Sequence, residues 1–251
     1  MHTNSFYKYV KHHIMHIAIL ATNTDDSAFA KAHPRDGDKW RTLLGAVRPE
    51  WAVTVFDVTK GHFPPEQSRF DGWIIGGSPA SVHDTDTWIG RLMGLIRQIA
   101  GLGQPIFGAC FGHQAIAQAL GGVVGKNPQG WKLGLAEMTD DRGLVTRQYA
   151  AHTEQVTVLP TGARVVAHST HCPVAGFAMG DHVLTTQYHP EMTHGFIVGL
   201  VEHLAHDLPA SVIAQARDDL RGFADTAASV QQIVVFFEDH AKAASKSIAV
   251  T

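Results

Sequence analysis

The sequence predicts an α/β fold in which a doubly wound, mostly parallel sheet carries helices on both faces. Short apolar runs end abruptly at glycine or proline, as buried parallel strands do. Runs of helical period alternate with them, and such alternation builds this kind of sheet. The second half of the chain is richer in short β-forming runs, which predicts a small β extension before a helical C-terminal tail.

The elements follow in order along the 251 residues. Apolar runs predict strands at residues 16–21, 51–58, 73–75 and 105–109, and amphipathic runs predict helices at 38–47, 87–100 and 112–120. Asp84 or Asp86 is placed to cap the second helix, and Gly121 to end the third. A mixed or antiparallel extension is predicted at 123–145, 156–159, 165–168 and 176–188, with two or three helices between 193 and 244.

No internal repeat or low-complexity linker divides the chain. We therefore expect an N-terminal extension at residues 1–15, one domain at 16–206, and a helical tail at 207–251 that packs on the same domain. The tail has an apolar face, and packing on the core explains that face better than a partner or dimer surface. The oligomeric state stays open, a homodimer included.

Composition argues against several classes of protein. The formal net charge is −3 and 17% of residues are charged, so nothing indicates a nucleic-acid partner. No stretch is apolar for long enough to cross a bilayer, and the first fifteen residues lack the apolar core of a signal peptide. Two cysteines, Cys110 and Cys172, are too few for a disulfide framework. We therefore expect a cytoplasmic protein without a membrane partner.

The seventeen histidines are scattered along the chain. His203 and His206 lie three residues apart on a predicted helix, but a solvated helix face explains them better than a metal site. No HExxH motif or zinc-spaced cluster occurs. No GxGxxG follows the first strand, and no GxxxxGK[ST] loop occurs, so we expect no metal, no cofactor and no synthetase domain in this chain.

The strongest chemical motif is a strand, a tight turn and a helix start around Cys110. Gly108 and Gly112 frame it as the glycines of G-x-S-x-G frame a serine nucleophile. The following helix directs its N-terminal N–H groups at the sulfur, which favours the attacking thiolate, and the N–H of Phe111 is placed to donate to an oxyanion. A buried structural cysteine is the alternative, and Cys172, which has no such frame, fits that alternative.

A thiolate nucleophile needs a partner that protonates the leaving amine. His189 ends an apolar run, Pro190 stops the strand, and Glu191 lies two residues on, within reach of the distal ring nitrogen. In isolation, a surface turn with a capping glutamate explains this segment equally well. After the third strand, the backbone N–H groups of Gly77 and Ser78 can approach a carbonyl closely, and which of them donates stays open.

Together these motifs resemble the class I glutamine amidotransferases, whose pattern is a G-x-C-x-G-x-Q elbow, a later H-P-E and a glycine-rich strand. The resemblance covers residues 16–205 and implies the flavodoxin-like fold of that family. It implies Cys110 as nucleophile, His189 as base and acid, and Glu191 as its orienter. Gln114 would help to hold the α-amino and α-carboxylate groups of the substrate.

The segment 151–160 is similar to an H-x-D-x-V-x-x-L-P stretch of free-standing members, with Glu154 where aspartate is more frequent. The similarity implies that His152 and the backbone beside it contribute to substrate binding. The reaction implied is hydrolysis of the γ-amide of glutamine through a γ-glutamyl thioester, with release of ammonia and glutamate.

The pattern is most similar to stand-alone proteins that resemble the glutaminase half of GMP synthase, so a synthetase partner would be a separate protein. Two alternatives stay open. One is hydrolysis of γ-glutamyl peptides or amides by the same triad. The other is a catalytically silent binding or regulatory module.

Overall fold

The computed structural model describes residues 14–65 and 70–249. The strands in these residues are β1 His16–Ala21, β2 Ala52–Asp57, β3 Gly72–Ile75, β4 Ile106–Ala109, β5 Val123–Lys126, β6 Lys132–Asp140, β7 Val145–His152, β8 Glu154–Val158, β9 Ala163–His168, β10 Gly176–Met179 and β11 Val183–Thr186. The helices are α1 Ala28–Lys31, α2 Asp36–Gly45, α3 Thr87–Gly101, α4 Phe111–Ala119, α5 His194–His203, α6 Ala210–Asp219 and α7 Thr226–Ala249.

Nine of these strands form one sheet in the order β2-β1-β3-β4-β11-β10-β9-β6-β7, and β5 pairs antiparallel with β8 in a separate two-stranded sheet. The first five strands in this order are parallel to one another. The remaining four pair antiparallel. The predicted fold class, a mostly parallel α/β sheet with a β extension, is therefore confirmed.

The segment predicted as one β run at residues 176–188 divides into two strands. Gly180, with φ +57°, turns the chain between β10 and β11. β11 then lies parallel to β4, with Thr186 opposite Ala109. The placement of this segment in an extension is wrong for its second half, because β11 completes the parallel core of the sheet. This matters for the site, since β4 leads to Cys110 and β11 leads to His189.

Helices cover both faces of the parallel strands. Side chains of successive strand residues point to opposite faces. In β1, Ala18 and Leu20 pack in a cluster with α3 and α4, whereas Ile17 and Ile19 pack in a second cluster with α2 and α7. The strands are buried on both sides, which explains why they have apolar runs rather than an alternating pattern.

The C-terminal tail packs on this core. Its apolar face is buried in the second cluster, through Val230, Ile233, Val234 and Phe237. Phe237 lies so close to the sheet that a Cβ on Gly72 would be 2.5 Å from its ring. Met15 is buried in the same cluster, so the core begins one residue before β1. Of the N-terminal extension predicted at 1–15, residues 1–13 lie outside the described residues.

The helix ends differ from expectation in one respect. α3 begins at Thr87 with Asp86 at the N-cap position, but the Asp86 side chain makes no capping hydrogen bond. Asp84 instead accepts a hydrogen bond from the N–H of Ser81, 2.8 Å away, because it lies in a tight turn before the helix. The predicted side-chain cap is therefore wrong. Gly121, with φ +92°, follows the end of α4 as expected.

Two further observations concern membranes and metal ions. None of the helices in the described part of the chain combines the length and apolar character that a membrane span requires. Within the same residues, no three histidine, cysteine or acidic side chains form a group suited to a metal ion. His203 stacks on Phe29, with ring centroids 5.0 Å apart.

Candidate active site

Cys110 occupies a sharp turn between β4 and α4. It is the residue before Phe111, the first residue of α4, and its backbone has φ 50° and ψ −106°. Among the described residues, no other non-glycine residue has positive φ. Such a conformation costs of order 1–3 kcal/mol and persists where the surrounding structure imposes it, often at functional sites. This is the geometry of a nucleophile elbow.

The two framing glycines permit the turn because the backbone on either side is tightly packed. A Cβ on Gly108 would lie 2.6 Å from the carbonyl of Gly112. A Cβ on Gly112 would overlap the carbonyl oxygen of Ile75 at the end of β3. The N–H of Gly112 also donates to the carbonyl of Gly76, over 3.0 Å. The start of α4 is therefore held directly against the glycine-rich segment after β3.

His189 and Glu191 form a buried pair beside this turn. The Nδ1 of His189 lies 2.8 Å from Oε1 of Glu191, and the two side chains are 5% and 2% exposed. Because a carboxylate only accepts, Nδ1 is the donor to Glu191, and Nε2 takes no part in this hydrogen bond. Nε2 is buried and has no hydrogen-bond partner among the described residues. The backbone N–H of His189 donates to the backbone carbonyl of Tyr149, and this hydrogen bond anchors the segment to β7.

The electrostatic surroundings of His189 favour its charged form. Burial acts to lower the pKa of the imidazole, since it penalises the cation. The negative charges of the Cys110 thiolate and the Glu191 carboxylate outweigh burial and raise the pKa of His189 well above its ordinary value. The charged form of the buried His189 is therefore favoured beside Cys110 and Glu191.

The glycine-rich segment lies against both groups. A Cβ on Gly77 would be 2.6 Å from Cε1 of His189 and 3.7 Å from Cβ of Cys110. Only glycine lets this backbone approach so closely. The neighbouring Ser78 uses its hydroxyl to accept from the N–H of Ala80, 3.1 Å away. The backbone of Gly77 therefore lies beside both His189 and Cys110. That Gly77, Ser78 or Phe111 donates to an oxyanion stays a prediction.

Two glutamines form a hydrogen-bonded chain to the sulfur. Nε2 of Gln114 donates to the carbonyl of Glu154 (2.9 Å) and to Oε1 of Gln187 (3.2 Å). Nε2 of Gln187 then points at the Cys110 Sγ, 3.8 Å away. Both donors of Gln114 are used within the protein, which leaves Oε1 as the atom with which it could contact a ligand. The role of Gln114 in substrate binding stays a prediction.

Sequence reasoning missed Gln187. Its signal was its spacing, because residues two apart on an extended chain face the same side, and Gln187 precedes His189 by two. It is fully buried at the end of β11.

His152 lies on the β7 side of the same site. Its Nδ1 donates to the carbonyl of Glu154, 3.0 Å away, and its Nε2 is buried without a partner among the described residues. Burial lowers the pKa of His152 to about 4, so the ring is neutral near pH 7 with an unpaired acceptor on Nε2. The Glu154 carboxylate accepts from the hydroxyl of Ser81, 2.8 Å away, which ties β8 to the loop after Ser78. Whether His152 binds substrate stays a prediction.

Solved structures share this architecture. A glutamine amidotransferase from Thermotoga maritima superposes with a TM-score of 0.67 and 16% sequence identity, over 91% of this chain and 98% of that one. A glutamine amidotransferase from Methylobacillus flagellatus gives a TM-score of 0.62 and 21% identity, over 78% of this chain and 76% of that one. At these identities the likeness concerns the fold, which is that of the glutamine amidotransferases.

Sequence comparison defines the family. A family model described as glutamine amidotransferase class-I matches residues 46–196, more than half of the chain, and the chain belongs to this family. Gamma-glutamyl peptidase 4 of Arabidopsis thaliana is 28% identical over 202 residues, which are 74% of this chain and 80% of the peptidase. The glutamine-hydrolysing GMP synthase of Corynebacterium diphtheriae is 36% identical over 129 residues, which are 48% of this chain and 23% of the synthase.

Proposed function

We propose that the protein hydrolyses γ-glutamyl amide bonds, with glutamine as the simplest substrate, through a thioester on Cys110. The observation that carries the proposal is the buried His189–Glu191 pair beside Cys110, in which Nε2 has no hydrogen-bond partner among the described residues and the pKa of the imidazole is raised well above its ordinary value. A structural cysteine needs no such partner. A catalytically silent module is disfavoured for the same reason, since a buried ion pair is costly to keep without a use.

The proposed reaction proceeds in two steps. The Cys110 thiolate attacks the γ-carbonyl carbon, and the negative charge that develops on the carbonyl oxygen is stabilised by the N–H of Phe111 and an N–H of Gly77 or Ser78. His189 gives its Nε2 proton to the leaving nitrogen, the C–N bond breaks, and a γ-glutamyl thioester and free amine result. Water then attacks the thioester and yields its proton to Nε2, the C–S bond breaks, and glutamate leaves.

The proposal leaves open whether the leaving amine is ammonia alone or also a larger amine, such as an amino acid or a peptide. The relatives named gamma-glutamyl peptidase align over about four-fifths of their own length, whereas the GMP synthase relatives align over about a quarter of theirs. This coverage favours γ-glutamyl peptides as substrates in addition to glutamine. Transfer of ammonia to a separate synthetase protein is the other candidate, and would require that a partner raise the rate with glutamine.

The test is a matched substrate series with purified protein. We expect amine release from glutamine and from γ-glutamyl dipeptides, and none from the corresponding α-glutamyl dipeptides. Cys110→Ser should lower kcat/KM by about 10⁴-fold or more, as removal of a nucleophile does. Cys172→Ala, which removes the other thiol, should stay within about threefold of the wild type.

Two results would contradict the proposal. One is equal cleavage of α- and γ-linked substrates. The other is full activity in Cys110→Ser. If the wild type neither turns over any γ-glutamyl compound nor is labelled at Cys110 by 6-diazo-5-oxonorleucine, a glutamine-mimicking electrophile, the binding module becomes the better explanation.

A further inference from the structure

Thr22 is a fully buried polar residue directly after β1, and the sequence motifs give it no part in the site. Its hydroxyl lies 3.0 Å from the carbonyl oxygen of Gly76 and 3.0 Å from that of Gly77. A hydroxyl has one hydrogen, so the two carbonyls share it. Thr22 therefore contacts both peptide units of the glycine-rich segment from one side.

The direction of a carbonyl fixes the direction of the next N–H. In a planar trans peptide the C=O and N–H bonds point in opposite directions, and the described residues contain no cis peptide. Because the carbonyls of Gly76 and Gly77 face Thr22, the N–H groups of Gly77 and Ser78 face away from it. A Cβ added at Gly77 would lie 2.6 Å from Cε1 of His189 and 3.7 Å from Cβ of Cys110, whereas one added at Gly76 would lie 3.9 Å from the Thr22 hydroxyl.

The two peptide units are not held equally. The Gly76 carbonyl also accepts from the N–H of Gly112, over 3.0 Å, so it keeps one bond without Thr22. The Gly77 carbonyl has Thr22 as its hydrogen-bond donor and no second donor among the described residues. The orientation of the Gly77–Ser78 peptide, and hence of the Ser78 N–H, depends on the Thr22 hydroxyl.

We propose that Thr22 is a positioning residue that orients the oxyanion-binding N–H groups of Gly77 and Ser78 by holding the two carbonyls behind them. The expected effect on the rate rests on the proposed function. The expected effect on the orientation of the peptide does not. Removal of the hydroxyl leaves the Gly77 carbonyl free to rotate, and the oxyanion that forms on attack loses a well-aimed donor. Binding of the ground-state substrate changes little, because the carbonyl carries little charge before attack.

The test compares variants of nearly equal volume. Thr22→Val should lower kcat for γ-glutamyl hydrolysis by about 10- to 100-fold with KM within about twofold, since complete loss of an oxyanion donor costs about 10²–10³. Thr22→Ser, which keeps the hydroxyl, should stay within about threefold of the wild type. Thr54→Val is the matched control, because the hydroxyl of Thr54, on β2, hydrogen-bonds to His16 at the start of β1 and not to the carbonyls of Gly76 and Gly77.

A second measurement separates orientation from general damage. Alkylation of Cys110 by iodoacetamide forms no oxyanion, so its rate should be the same in Thr22→Val and wild type. Thermal unfolding of all variants identifies any that fail to fold, and Thr22→Ala then serves as a second variant without the hydroxyl. An unchanged kcat in both hydroxyl-free variants, or an equal loss in Thr22→Ser, would overturn the inference.

The structural consequence can be read without any activity. A crystal structure of Thr22→Val, or of Thr22→Ala, should show the Gly77–Ser78 peptide rotated from its wild-type orientation. If that peptide is unmoved, Thr22 is not its positioning residue. If the wild type cleaves no γ-glutamyl compound, the proposed function fails, and the peptide orientation still decides this inference.

Discussion

The two cysteines of this protein differ in their neighbours and hardly at all in their exposure. Cys110 is 4% exposed and Cys172 is fully buried. Cys172 lies in a turn where its N–H donates to the hydroxyl of Ser169, 2.9 Å away. Burial raises the pKa of the Cys172 thiol to about 12. Cys110 instead lies at a helix start, beside an imidazole that is kept charged. Burial alone therefore does not distinguish the two thiols, whereas their neighbours do.

The buried histidines repeat this difference. Burial lowers the pKa of His113 to about 3 and that of His152 to about 4. His189 is equally buried, yet its acidic neighbours raise its pKa well above the ordinary value. Among these three buried histidines, the charged form is thus favoured at His189 and the neutral form at His113 and His152.

The largest expected effect is a difference in alkylation between the two thiols. At pH 7 and in the folded protein, iodoacetamide should modify Cys110 at least about 10³-fold faster than Cys172, because the attacking species is the thiolate and burial suppresses it at Cys172. Peptide mapping by mass spectrometry over a time course measures both rates. Comparable rates for the two thiols would remove the distinction drawn between them.

Steric contact at Gly77 gives the next effect. Gly77→Ala places a methyl group 2.6 Å from Cε1 of His189, so the ring or the backbone must move. We expect kcat/KM to fall by about 10²–10³-fold. Gly90→Ala is the control, since nothing lies within 4 Å of its Cβ position on α3. That variant should keep full activity and be more stable by about 0.5–1 kcal/mol in chemical denaturation. Equal activity in the two variants would contradict the close packing.

The orienting carboxylate gives a smaller effect. Glu191→Gln keeps a hydrogen-bond acceptor for Nδ1 of His189 but removes the negative charge. We expect kcat to fall by about 10- to 100-fold, because the imidazolium loses part of its stabilisation. The pH–rate profile is the decisive measurement. The decline in rate at high pH, where His189 loses its proton, should begin at a lower pH than in the wild type. An unchanged profile would mean that Glu191 acts through packing alone.

The smallest effect concerns stability in acid. Unfolded histidine binds a proton near pH 6.5, whereas folded His113 and His152 bind one only near pH 3 and pH 4. The unfolded chain therefore holds more protons between these values, and the free energy of unfolding falls as the pH drops below 6.5. Each such histidine contributes a slope of up to about 1.4 kcal/mol per pH unit.

Replacement of one of these histidines isolates its contribution to the pH dependence of the free energy of unfolding. His113→Gln, which can still donate to the hydroxyl of Thr185, should make the decline between pH 6.5 and pH 4.5 shallower. Urea denaturation at several pH values measures the slope. The exposed His62→Gln should leave it unchanged. If both variants follow the wild-type curve, the neutral state of His113 in the fold is not supported.

The sequence was sufficient for most of the fold because its strands have a simple pattern. The run at 16–21 coincides with β1, and the helix predicted from 87 begins there. The short helix α1, capped by the Ser27 hydroxyl, was missed because four residues are too few for a periodic pattern. The run at 176–188 was read as one segment although Gly180-Asp181-His182 is a turn signal within it, and the weight given to the apolar residues on either side was too great.

The site was predictable where chemistry is local in sequence. The Cys110 turn, and the His189–Glu191 pair two residues apart, follow from spacing, although the catalytic roles remain proposals. Gln187 was missed although its spacing before His189 offered a signal, whereas Thr22 offered none, because its contacts with the glycine-rich segment exist only after the sheet has formed. A buried threonine after a strand has no signature that separates it from any other core residue.

The place of β11 in the sheet also bears on when the thiol can gain its partner during synthesis. β4 and β11 are neighbours in space, but Ile106–Ala109 and Val183–Thr186 are far apart along the chain. A chain emerging from the ribosome exposes Cys110 long before His189 exists. Until β11 takes its place between β4 and β10, Cys110 lacks the neighbours that the folded chain gives it, Gln187 and His189.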